Sequence, residues 1–117
     1  MNIEAFRNYC LAKKGVTEHM PFGDDVLVFK VMDKMFALCD INKFESINLK
    51  CNPETAIELR EQFQAVKPGY HMNKTHWNTI EIQSDMSDMD ILKWINHSYN
   101  LVVNSLPKKQ KQALLNF

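Results

Sequence analysis

From Val26 to Met32 the chain reads Val-Leu-Val-Phe-Lys-Val-Met, apolar at nearly every position and rich in β-branched residues. That pattern predicts a strand in the middle of a sheet. Asp33-Lys34 then forms a two-residue turn, and Met35–Asp40 returns as the antiparallel partner, although the turn lacks the usual glycine. Ser46–Cys51 alternates, with Ile47, Leu49 and Cys51 on one face, and predicts a third strand. Trp77–Ile82 alternates in the same way and predicts a fourth. Elsewhere the apolar spacing is helical. Ile3, Phe6 and Cys10 mark a helix over residues 3–14, capped by Asn2 and stopped at Gly15. Asn52-Pro53-Glu54 is a helix start, with Ala56, Leu59, Arg60 and Phe63 on the inner side through about Gln64. Ser87-Asp88-Met89-Asp90 resembles a capping box, and the longest helix follows with Ile91, Ile95, Tyr99 and Val102 along its core stripe. Pro107 opens a last short helix ending near Leu115. Residues 16–23 read as an extended connection, and Pro68-Gly69 as a turn.

Helix, run of strands, helix, strand, helix is the order of an α+β two-layer sandwich, a twisted antiparallel sheet with helices on one face. At 117 residues, with three Gly, four Pro and no repeat, the chain is expected to form a single domain over residues 1–117.

Charge complicates any functional reading. Fourteen basic residues balance fourteen acidic ones, whereas a dedicated nucleic-acid binder is more often basic. The balance therefore counts against DNA binding unless the charges are segregated, and along the chain they partly are. No acid lies between Glu61 and Glu81, and none follows Asp90, whereas residues 18–45 hold most of the acids of the first half. Cys10, Cys39 and Cys51 are odd in number and set among apolar residues, as buried thiols in a reducing compartment are. With no basic-then-apolar leader and no membrane-length apolar run, the expected location is cytoplasmic.

The acid-free stretch is the one unusual segment: Lys67-Pro68-Gly69-Tyr70-His71-Met72-Asn73-Lys74-Thr75-His76-Trp77-Asn78-Thr79. It interleaves cations that displace counterions, aromatics that stack, and amides that reach sugars or base edges. Lys50, Lys67 and Lys74 are the candidate phosphate contacts. His71 and His76 would add hydrogen bonds, Asn73 and Asn78 would reach sugars or bases, and Tyr70 and Trp77 would stack or brace the loop. The same residues also suit a long loop that holds itself together, with Tyr70 and Trp77 as core anchors. No catalytic apparatus is legible. The three glycines, at 15, 23 and 69, form no phosphate cradle, no serine sits in an elbow, and the cysteines match no reactive pattern. His71 and His76 are five apart with no ligand beside them, so neither metal nor cofactor is expected. The expectation is a non-enzymatic binder of duplex DNA with little sequence preference, a monomer or weak dimer without a membrane role. The alternative is a small-ligand or protein-binding module that uses the 67–79 loop as a pocket wall.

The chain also resembles the MmcQ/YjbR family of small bacterial proteins. The resemblance is carried by Gly15-Val16-Thr17-Glu18 with Pro21-Phe22-Gly23, by Val28-Phe29-Lys30-Val31 with Lys34-Met35-Phe36-Ala37-Leu38, and by Asn48-Leu49-Lys50-Cys51 with Pro53. It continues through Pro68-Gly69-Tyr70-His71-Met72-Asn73-Lys74, His76-Trp77-Asn78-Thr79, His97-Ser98-Tyr99 and Leu106-Pro107-Lys108. It implies a fold like that of CyaY, the bacterial frataxin, and a "double wing" DNA-binding motif in which hairpins act as wings. Frataxin's iron-gathering ridge does not carry over, because Glu4 is the one acid of the first helix.

Overall fold

The computed structural model describes residues 1–69 and 72–117. Its centre is the predicted hairpin, β2 (Val26–Val31) and β3 (Lys34–Asp40), flanked by β4 (Ser46–Lys50) and β6 (Trp77–Glu81). Two further strands, β1 (Val16–His19) and β5 (Val66–Pro68), complete a six-stranded sheet in the order β1-β2-β3-β4-β6-β5, every neighbour antiparallel. Both edge strands escape a reading of the pattern. They have four and three residues, too few to display a period, and one side of each lacks a partner strand. The hairpin turn is Met32-Asp33, one residue earlier than predicted, and both residues adopt left-handed φ values of 49° and 65°. A register shift at Phe29/Lys30 lets successive residues Phe36 and Ala37 both join the core.

Among the described residues four helices, α1 (Ile3–Leu11), α2 (Pro53–Gln62), α3 (Asp88–Ser105) and α4 (Lys108–Leu114), complete an α+β two-layer sandwich. Side-chain caps set three of their starts: Asn2 accepts from the Ala5 N–H, Asn52 from those of Glu54 and Thr55, and Ser87 from that of Asp90. α1 stops at Leu11 rather than Lys14, and the left-handed Gly15 (φ 74°) turns the chain into β1. Phe6 of α1 meets Phe29 edge-on at 5.5 Å, while Ile91, Ile95 and Val102 of α3 are buried against the sheet. The opposite face of the sheet holds a smaller cluster, Val28, Leu38 and Trp77 with Val26, Met35 and Met72 packed on it; none of these residues comes from a helix.

The register defines two ends of the sheet. At one end lie the Met32-Asp33 turn, the close of β4 at Lys50 and the start of β6 at Trp77, because Val31 pairs with Lys34 and Lys50 with Trp77. At the other lie the start of β2, where Val26 pairs with Asp40, and the pairing of Ser46 with Glu81.

Candidate functional site

The Met32-Asp33 turn between β2 and β3, and Gly69 with residues 73–76 of the connection between β5 and β6, fall at the first of these ends, while Met72 packs back on Val28 and Leu38. The second connection is held in shape from three sides. The Asn73 carbonyl accepts from the N–H groups of His76 (3.2 Å) and Trp77 (2.9 Å), and its side chain accepts from the Thr75 N–H at 2.9 Å. The His76 carbonyl accepts from the Cys51 N–H at 2.8 Å, which ties the turn to the end of β4. Arg60 reaches in from α2 and donates to the carbonyls of Lys74 and Trp77 and, at 2.7 Å, to Oδ1 of Asn78. Gly69 is required by closeness: a Cβ there would come within 2.8 Å of that of Trp77.

The structure separates the nominated residues. Asn73, Lys74 and His76 are exposed on the turn, and Lys50 stands half-buried on the neighbouring strand. Asn78 is a correction: at 1% exposure it is locked beneath Arg60, with its Nδ2 donating to the Ala56 carbonyl at 3.4 Å, so it cannot reach a sugar or base. Trp77, 7% exposed, packs against Val28 and Leu38 and braces the sheet rather than offering a stacking face. Lys67 is drawn toward the other end, donating to the Gln64 carbonyl at 2.9 Å and lying 3.5 Å from Glu81. Tyr70 and His71 lie outside the described residues.

Two lysines not singled out from the sequence join the cluster. Lys30 and Lys34 flank the β2–β3 turn at the same end as Lys50, Lys74 and His76. Their signal was present, since lysines beside a hairpin turn share its end of the sheet, but the turn had first to be paired with the 69–76 connection. Lys14, exposed just before β1, adds a further cation, because Val16 pairs with Val31. Among the described residues of the strands and turns at this end the acid is Asp33, and Glu54 opens α2 nearby. The opposite end carries Asp24, Asp25, Asp40, Glu45, Glu81 and Asp85 against Lys43 and the ammonium of Lys67. A chain of zero net charge is thus polarised along its strands.

The YjbR family model matches residues 11–101, the span that includes both hairpins. The chain belongs to the YjbR family. Within that family it is 32% identical over 116 residues to the uncharacterised protein YjbR of Escherichia coli (strain K12), covering 98% of both chains. It is 37% identical over 95 residues to the uncharacterised protein YbdF of Escherichia coli O157:H7, covering 80% of this chain and 78% of that one. The crystal structure of Deinococcus radiodurans protein DR2400 superposes with a TM-score of 0.90 at 33% identity, covering 97% of this chain and 87% of that one. A Pseudomonas syringae protein follows at a TM-score of 0.72 and 30% identity, covering 86% and 98%. These two solved structures thus share the chain's fold. Among the described residues no three His, Cys, Asp or Glu side chains gather at metal-binding spacing, and no helix is long and apolar enough to cross a membrane.

Proposed function

We propose that this YjbR-family chain is a non-enzymatic DNA-binding protein that grips duplex DNA by its phosphates, with little sequence preference. The observation that carries the reading is the segregation of charge: Lys30, Lys34, Lys50, Lys74 and His76 share the end of the sheet where both hairpin tips lie. The tips are three strand positions apart in the sheet order, which at ~4.8 Å per strand is about 14 Å. That spacing is comparable to the ~12 Å width of the major groove, so two tips can meet phosphates on its two sides, with Lys50 of β4 between them. Phosphate contact of this kind positions the duplex without reading bases, and the burial of Asn78 and Trp77 removes two of the groups that would have read or stacked on them.

The test is fluorescence anisotropy of a labelled random duplex from low to physiological salt. Micromolar binding that weakens steeply with salt is expected. Lys34→Ala, Lys50→Ala and Lys74→Ala should each lower the slope of log affinity against log salt by about one, while Lys67→Ala leaves it unchanged. Absence of binding at low salt, or an equal slope in all four variants, overturns the reading.

A further inference from the structure

The acidic end of the molecule carries a recess. A groove of about 510 Å³ lies on the helix-free face, across the start of β2, the close of β3 and the start of β4. Its apolar surface comes from Val26 and Leu38 of the strands, Phe22 of the β1–β2 connection and Met72 of the 69–76 connection. Two segments quoted for the family resemblance, Pro21-Phe22-Gly23 and His71-Met72-Asn73-Lys74, therefore each contribute a side chain to it. Phe22 is 60% exposed although it borders this apolar surface, so an occupant would bury an aromatic ring that the folded chain leaves in water.

The polar lining is one-sided. Among the described residues that line the groove, Asp40 is the charged group and none is a cation. Its Oδ1 accepts from the backbone N–H groups of Asn42 (2.8 Å) and Lys43 (3.0 Å), which holds the carboxylate in place. Asp24, Asp25, Glu45 and Glu81 stand at the same end against Lys43 and Lys67, so the acids outnumber the cations and the net field there draws cations. Asn48 accepts from the Thr79 hydroxyl at 2.7 Å, which assigns its oxygen inward and leaves Nδ2 as the donor of that amide. A volume of this size is that of a small-molecule site rather than a macromolecular cleft.

We infer that this groove binds a small organic cation, an aromatic body carrying a protonated amine, with the ring against Phe22, Leu38 and Met72 and the ammonium at Asp40. The groove shares the 69–76 connection with the DNA reading through Met72, but its Asp40 and Phe22 take no part in that reading, so either can fail without the other.

The test is a titration of the full chain with tryptamine and, separately, with indole-3-propionate, which keeps the ring and inverts the charge. The Val26 and Leu38 methyl resonances are followed at low salt. Tryptamine is expected to shift both methyls saturably, and indole-3-propionate to bind at least about tenfold more weakly. Asp40→Asn preserves the acceptor that caps the Asn42 turn and should weaken tryptamine about threefold or more, the size expected of a solvent-accessible ion pair, without changing indole-3-propionate. Phe22→Ala, at an exposed position that leaves the core intact, should weaken both. Equal affinity for the two probes, no methyl shift at millimolar tryptamine, or insensitivity to both substitutions overturns the inference.

Discussion

Ser98 sits with no exposed surface on α3, where its hydroxyl donates to the Phe36 carbonyl at 2.5 Å and accepts from the Lys50 N–H at 2.9 Å. One side chain thereby satisfies two backbone groups on adjacent strands and fixes the helix across them. Ser98→Ala leaves both without partners in the core and should lower the unfolding free energy by about 1–3 kcal/mol, read from urea denaturation. Beside it, His97 accepts from the Asn52 N–H at 3.2 Å through Nε2, so the ring must be neutral at that nitrogen. Burial, aided by the Lys93 ammonium, holds its pKa below the ordinary histidine value. A depressed histidine pKa stabilises the fold fully above the unfolded value of about 6.5, and that stability is lost as pH falls through the folded value. The urea midpoint should therefore decline on acidification from pH ~7 to pH ~5, and His97→Gln should flatten that decline. Tyr99 completes the run, donating to the Lys14 carbonyl at 2.6 Å. The His-Ser-Tyr segment that helped mark the family is architectural in all three residues. Residue types alone could not disclose that, because a buried serine and a reactive one look the same until their partners are known.

At the level of elements, the sequence revealed the central hairpin, the three longer helices and the helix caps, because each is long enough for its period or cap chemistry to show. It did not reveal β1 and β5, whose few residues are held mainly by ladder bonds to a neighbour. The candidate site was legible in part for a related reason. Lys74 and His76 stood out in the acid-free stretch, but Arg60, which pins that stretch from α2, showed only as an inward-facing helix position. The β2–β3 turn combines two left-handed residues, a conformation that costs roughly 1–2 kcal/mol per non-glycine residue. Asp33→Gly should relieve part of that strain, offset by the greater freedom of glycine in the unfolded chain, and raise stability by up to about 1 kcal/mol. A rise in the urea midpoint with an unchanged denaturant slope checks it.

For the molecule as a whole, zero net charge gave no hint of a field with direction, since a sum over residues is blind to which end of a sheet each one occupies. Antiparallel pairing turns a modest sequence bias into a basic end and an acidic end, and the two sites proposed above draw on opposite poles. Cys10 on α1, Cys39 on β3 and Cys51 at the close of β4 are all buried and unpaired. Burial pushes the Cys39 thiol up to about 12 and the Cys51 thiol up to about 11, and raises Cys10 as well. Neither access nor thiolate is on offer while the core is closed. A water-soluble alkylating reagent must wait for the layers to part, so the protein carries three stopwatches of its own opening. If all three run at one rate, the sandwich opens as a unit; if Cys51 runs ahead, the sheet end bearing the His76 turn loosens first.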